Sequence, residues 1–209
     1  DTMQGVRQMI LQSGKNYNPE DKTLFIYTLP WWIRNINEKY IQEFLPTTSS
    51  VEDVIEKLKI VNPKIISTYP TYLEKMSAYG LDLRQYGVEL VVVHSEQSTR
   101  KQRDILEKSL NVKVLDEYSS EELTRIALEC PNNTYHLEED ACYIEIVDPV
   151  TKKKLDYGER GVVVGTNLLN TATPIIRYYQ GDLAEIGKNI ECECGNNCRI
   201  LKNINGRYM

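Results

Sequence analysis

The chain has 209 residues, 41% of them hydrophobic and 26% charged, with a net charge of -5. That is enough apolar material for one large domain or two small ones, and the acidic balance offers no footing to a nucleic acid or an anionic membrane. The basic runs Lys152-Lys153-Lys154 and Arg100-Lys101 read as solvated turns, no charged-then-apolar leader opens the chain, and no apolar run approaches ~18 residues, so a cytoplasmic protein is expected.

The first half alternates helical and strand patterns. Thr2 to Leu11 reads as a helix tail with Met3, Val6 and Ile10 on one side, ended by Ser13-Gly14. Leu24 to Tyr27 is a short apolar strand. Ser50 caps a helix over Val51 to Ile60, with Asp53 at the third position where a carboxylate favours the helix start, and Pro63 closes it before the strand Ile65 to Thr68. Pro70 starts another helix through Tyr79, stopped by Gly80. Val88 to His94 is a continuous apolar strand, Ser98 caps a helix over Thr99 to Leu110, and Val112 to Leu115 is the next strand. Apolar strands separated by amphipathic helices argue for a doubly wound, mainly parallel α/β sheet with helices on both faces.

After about Cys130 only strand patterns remain: Cys142 to Val147, Gly161 to Thr166, Pro174 to Tyr179, Asp182 to Ile186 and Arg199 to Ile204, joined by Gly-, Asp- and Asn-containing turns. The expected division is an α/β part over residues 1–129 and a small antiparallel β part over 130–209.

Four of the five cysteines and one of the two histidines fall into one pattern, Cys130-x5-His136 and then Cys192-x-Cys194-x3-Cys198. Thiolate and imidazole are what a borderline-soft cation prefers, and three thiols within seven residues around Gly195 mark the tight turn of a zinc knuckle. More ligands are on offer than a tetrahedral ion uses, which points to a closed, structural site. Cys142 differs: Cys142, Ile144 and Ile146 alternate with period two, and this thiol reads as core.

Ligands bind outside the carboxyl ends of doubly wound strands, and those ends carry His94-Ser95-Glu96 and Tyr118-Ser119-Ser120-Glu121-Glu122, while Gln180-Gly181-Asp182 lies in the β part. Taken alone, Glu121 and Glu122 could be first-turn carboxylates of a helix over Leu123 to Leu128, Asp182 a turn residue, and Arg207 an exposed arginine. Trp31-Trp32, Tyr69 and Tyr72 could be core aromatics or the wall of a pocket, and His94 could line that pocket or end its strand.

Together these stretches resemble the adenylate-forming superfamily, in the branch of the phenylacetate-CoA ligases and capsular-polysaccharide biosynthesis proteins. Pro63 to Leu73 looks like the family's strand and aromatic turn beside the acyl pocket, and Tyr118 to Glu122 its Tyr-Gly-x-Ser/Thr-Glu motif. Cys130, His136 and Cys192-x-Cys194-Gly195 are similar to the zinc ligands of this branch, Pro174 to Asp182 to its Arg-Tyr-x-x-x-Asp stretch, and Asn205-Gly206-Arg207 to the Gly-Arg before its hinge. The resemblance implies a ligase that uses ATP to activate a carboxylic acid, an aryl acid by expectation, as acyl-AMP for CoA thioester formation. Glu122 would coordinate Mg²⁺ as the catalytic carboxylate. Asp182 would accept the ribose hydroxyls, with Arg207 and Tyr118 also at the nucleotide. Tyr69 and His94 would line the acyl pocket, and Cys130, His136, Cys192 and Cys194 would hold structural zinc, with Cys198 in reserve. Partners would be a small carboxylic acid and CoA, with no nucleic acid and no membrane; a homodimer stays open.

The chain departs from the family pattern at His94-Ser95-Glu96, where Gly-Gly-Glu or Gly-Ala-Glu is usual, at Ser119, which replaces the motif glycine, and at Glu121, usually Ser or Thr. Neither the family's phosphate loop nor its small mobile domain is read here, so the chain is expected to be a central fragment of the large domain, inactive alone. The other reading is a catalytically silent, zinc-stabilised structural or interaction module related to these enzymes.

Overall fold

The computed structural model describes residues 21–30, 41–187 and 192–208. The expected helix over Thr2 to Leu11 and the pair Trp31-Trp32 lie outside the described residues. Those up to Asp116 form one compact unit and those from Glu117 onward a second.

In the first unit, strands β1 (Thr23–Tyr27), β2 (Gln42–Pro46), β3 (Ile65–Thr68) and β4 (Leu90–His94) run parallel in the order β2-β1-β3-β4. Helix α1 (Val51–Val61) lies between β2 and β3, α2 (Pro70–Ala78) between β3 and β4, and α3 (Arg100–Leu110) follows β4. The helix α1 starts where expected. Ser50 Oγ accepts from the Asp53 amide at 3.1 Å while Asp53 accepts from the Ser50 amide at 2.8 Å, and Asn62 ends the helix in a left-handed conformation. Its buried residues Val51, Val54, Leu58 and Val61 recur at helical spacing, and the first three join Leu24, Ile26, Ile66, Leu73 and Val91 in one core. Each such side chain stabilises by roughly 1.5–3 kcal/mol.

The cap of α3 is Thr99, not Ser98. Thr99 has Gln102 three residues on, and this side chain accepts from the Thr99 amide at 2.8 Å. From Ser98 the equivalent position is Lys101, which has no acceptor to offer. Ser98 instead accepts from the Arg103 guanidinium at 2.7 Å.

The second unit is antiparallel throughout, in the order β5-β6-β7-β11-β10-β9-β8. Its strands are β5 (Lys113–Ser120, from Glu117 onward), β6 (Thr124–Glu129), β7 (Tyr135–Leu137), β8 (Cys142–Val147), β9 (Arg160–Asn167), β10 (Tyr178–Gly187) and β11 (Ile200–Lys202). Leu123, Ile126, Ala127, Leu137, Ile144, Val163 and Leu201 form its core, with Cys142 fully buried among them.

Three sequence expectations change here. The segment after Glu122 is the strand β6 rather than a helix, since Ile126, Ala127 and Leu128 are buried in succession and Ala127 and Leu128 pair with both β5 and β7. No strand begins at Pro174. Arg177 has φ +52°, and β10 starts one residue later. Gln180-Gly181 is not a turn between two strands but an irregularity inside β10, where the register to β9 shifts between Tyr179 and Leu183. Gly181 has φ +85° there, a backbone that a side chain disfavours. Among the described residues, no helix is long and apolar enough to cross a membrane.

Candidate functional site

Among the described residues stand three groups of chemically capable side chains, one in the first unit and two in the second.

The first lies at the carboxyl ends of the parallel strands. β1 ends in Tyr27, Tyr69 follows β3, and β4 ends in His94. The His94 ring stacks on Tyr27 with centroids 4.6 Å apart and planes 22° from parallel, and Tyr69 lies 5.6 Å from each. Tyr69 and His94, expected as pocket residues, are thus neighbours. Tyr27 belongs with them, although its place in an apolar strand marks it only as core. His94 Nδ1 lies 2.7 Å from Ser95 Oγ, and Ser95 takes φ +65°. Glycine takes that left-handed backbone freely, and serine adopts it at a cost of roughly 1–2 kcal/mol. Glu96 accepts from the Thr71 amide at 3.0 Å and its hydroxyl at 2.9 Å, filling the N-terminus of α2.

In the second unit, Cys130, His136, Cys192 and Cys194 converge, each offering one ligand atom and all four atoms within 4.8 Å of one another. Cys130 and His136 are fully buried. Cys130 follows β6, His136 sits in β7 and pairs with Ile200 of β11, and the two remaining thiols precede β11. Cys130 Sγ lies 3.8 Å from Cys192 Sγ, and Cys194 Sγ 3.3 Å from His136 Nε2. A tetrahedron with 2.3 Å metal–sulfur bonds has sulfur–sulfur edges of about 3.8 Å. The donor chemistry and spacing therefore fit a closed S₃N site. All five cysteines are free thiols. Cys198 is not in the group. Its amide donates to Asn196 at 2.9 Å, turning the loop back on itself.

Burial there works against ionised thiols, raising Cys130 and Cys194. Burial pushes the Cys130 thiol up to about 12 and lowers the His136 imidazole, with the Cys198 main chain pulling the imidazole the other way. Burial also opposes ionisation of Cys192, but donors from Cys194, Cys130 and Asn132 outweigh it and hold this thiol below its ordinary value. A bound cation would reverse the penalty at Cys130.

The third group joins two elements of the second unit. Tyr118, on β5, donates its hydroxyl to Asp182 Oδ2 on β10 at 2.8 Å, and Arg207 Nε donates to Asp182 Oδ1 at 3.1 Å. Burial first, then the Asp182 charge, pushes the Tyr118 phenol far up. Asp182 and Arg207 also form an isolated antiparallel bridge, so the loop carrying Arg207 is seated on β10. Tyr178, also on β10, donates to Glu122 Oε1 at 2.7 Å. This bond, then the Glu122 amide, holds the Glu122 carboxyl below its usual value, with smaller help from Ser120 and the Arg207 charge. Glu122 lies in the β5–β6 turn. A division at residue 130 separates Glu122 from Asp182, but the compact units meet at Asp116/Glu117 and both carboxylates belong to the second. Ser119 stands where the β5–β6 register shifts, opposite Arg125, with Ile126 of β6 as the extra residue.

Tyr178 and Asn167 are the neighbours that sequence reasoning passed over. Tyr178 sits inside the Arg-Tyr-x-x-x-Asp stretch, so the motif held the signal; for Asn167, at the end of β9, nothing local distinguishes it from a turn residue.

No family model matches the chain. Over 153 residues it is 31% identical to a phenylacetate-coenzyme A ligase of Thermus thermophilus, covering 69% of this chain and 34% of that protein. Over 178 residues it is 25% identical to Protein CapK of Staphylococcus aureus, covering 82% of this chain and 37% of that protein. The chain thus spans about a third of the length of such curated relatives. Among solved structures, 2-hydroxyisobutyryl-CoA ligase with 2-HIB-AMP and CoA in the thioesterification state superposes with a TM-score of 0.82 over 98% of this chain and 46% of that one, at 22% identity. That likeness shows a shared fold. The chain belongs to the adenylate-forming superfamily, in the branch of the phenylacetate-CoA ligases and CapK, and spans a part of such a protein.

Proposed function

We propose that this chain is part of an ATP-dependent ligase that activates a carboxylic acid, of the aryl class, as acyl-AMP and passes the acyl group to CoA. The observation that carries this reading is the meeting of Tyr118, Glu122, Asp182 and Arg207 in one unit, with both carboxylates held by hydrogen bonds. The relatives' names, phenylacetate-coenzyme A ligase above all, support the reaction class.

Asp182 binds the ribose hydroxyls and Arg207 the ribose or phosphate, trading their mutual bond for the nucleotide. Glu122 holds Mg²⁺ on the phosphates, where a hard carboxylate oxygen suits it. The acid's carboxylate attacks the α-phosphorus, the bond to the bridging oxygen breaks, and pyrophosphate leaves. The CoA thiolate then attacks the acyl carbon and AMP departs. Positioning and neutralisation of charge carry the catalysis. Tyr69 and His94 face the acid, and Cys130, His136, Cys192 and Cys194 hold a structural zinc.

The test is ATP–pyrophosphate exchange by the full-length protein across a panel of aryl and alkyl acids. Exchange that depends on an acid, and is abolished in Glu122→Gln, supports the reading. Wild-type protein that neither binds ATP nor exchanges pyrophosphate with any acid makes the chain a silent, zinc-stabilised module. The 209 residues alone are expected to show no exchange, because they span about a third of the length of such ligases.

A further inference from the structure

The two carboxylates of the second unit are tied by crossed tyrosine bonds. Tyr118 of β5 reaches Asp182 of β10 at 2.8 Å, and Tyr178 of β10 reaches back to Glu122, just past β5, at 2.7 Å. Each tyrosine thus fastens the carboxylate of the opposite element. The groups assisting Glu122 from nearby, its own amide and Ser120, belong to the same turn and would move with it. Tyr178 is 56 residues away in sequence and shares its strand with Asp182.

Two further contacts immobilise the turn without touching the carboxylate. The Asn167 amide donates to the Glu122 carbonyl at 2.9 Å, and its own oxygen accepts from the amides of Leu169 and Asn170 at 2.9 Å each. Leu123, fully buried, packs on Gly165 of β9 so closely that a β-carbon there would come within 2.3 Å of Leu123 Cδ1. The backbone of Glu122 is therefore pinned to β9, and beyond the contacts inside its own turn the carboxylate is held from across the sheet by Tyr178. A tyrosine hydroxyl bonded to a carboxylate fixes one oxygen and restricts rotation about the last side-chain torsion.

We infer that Tyr178 is a positioning residue for adenylation: it holds the Glu122 carboxylate at a set separation from Asp182, so that metal and ribose are bound in register on one nucleotide. The inference rests on the proposed roles of Glu122 and Asp182. Preorganisation of this kind lowers the ordering cost of binding and leaves the chemistry untouched once the metal is in place.

Tyr178→Phe in the full-length protein removes the hydroxyl and keeps the ring. The Mg²⁺ concentration for half-maximal pyrophosphate exchange should rise at least fivefold, while the rate at saturating Mg²⁺ stays within about twofold of wild type. Mn²⁺ binding to the ATP-loaded protein, followed by electron paramagnetic resonance and independent of turnover, should weaken by a similar factor. A tyrosine with a merely structural role would lower thermal stability and rate together and leave the metal dependence in place; that result overturns the inference. Unchanged metal dependence with wild-type exchange intact overturns it while sparing the ligase reading. A wild type without exchange or nucleotide binding sinks both.

Discussion

Both units have an apolar core, but only in the second is a group of soft-metal ligands added to it. In the first, capped helices and parallel strands close one continuous apolar core, in which Leu24, Val54, Leu58, Ile66 and Leu73 are fully buried. In the second, short strands such as β7 and β11 are three residues each, and the loops beside them bring three thiols and an imidazole together. A hydrophobic core stabilises by area, so losing one side chain costs a fraction. A coordination site concentrates the stabilisation in four atoms, so losing one ligand removes most of it.

The largest effect should therefore come from the metal. Chelation of the proposed zinc, or Cys130→Ser, should unfold the second unit first, since structural sites in small zinc modules are worth on the order of 10–16 kcal/mol. Hydrogen exchange should show amides of β6, β7 and β11 losing protection while those of β1 and β3 keep theirs. Equal loss in both units would dissolve the contrast. Leu58→Ala should do the reverse, destabilising the first unit by about 2–5 kcal/mol in denaturant titration with metal content unchanged.

Within the second unit, the Tyr118–Asp182 bond sharpens the comparison, because it stabilises without a metal. A hydrogen bond to a charged group is worth about 1.5–3 kcal/mol, and Tyr118→Phe should cost an amount in that range. The pH dependence has a definite sign. The phenol is raised above its ordinary value of 10.0, so its contribution is full below that pH and is lost as pH rises through the folded value. In alkaline titration Tyr118 should ionise later than the other tyrosines, Tyr72 and Tyr178 being raised less, and its late step should be missing from the Tyr118→Phe trace. The smallest effect belongs to the cap of α1: Ser50→Ala should cost about 1 kcal/mol and leave the second unit untouched.

How far the sequence reveals each unit follows from the same contrast. Most helices and strands of the first unit announce themselves through local signals: Ser50 with Asp53, Pro70 at a helix start, apolar runs ending at His94; the half-buried β2, QEFLP, does not, and sequence reasoning passes over it. The one displaced cap, from Ser98 to Thr99, turns on a single partner, Gln102. In the second unit the decisive interactions are non-local. Nothing near Leu123 says that it packs on Gly165, or that Arg177 turns left-handed before β10, so a strand reads as a helix and one irregular strand reads as two. The ligand group is legible because soft-metal ligands are few and their residue types unmistakable. Tyr178 and Asn167 are common residues whose roles exist only once β9 and β10 lie beside the Glu122 turn.

Metal content and ligation of the purified protein test the account most directly. Elemental analysis should find one zinc per chain, and X-ray absorption should give three sulfurs near 2.3 Å and one nitrogen near 2.0–2.1 Å. That signature should be lost in Cys130→Ser and kept in Cys198→Ser. Absence of stoichiometric metal, or a site that keeps its ligands in Cys130→Ser and loses one in Cys198→Ser, would contradict the account.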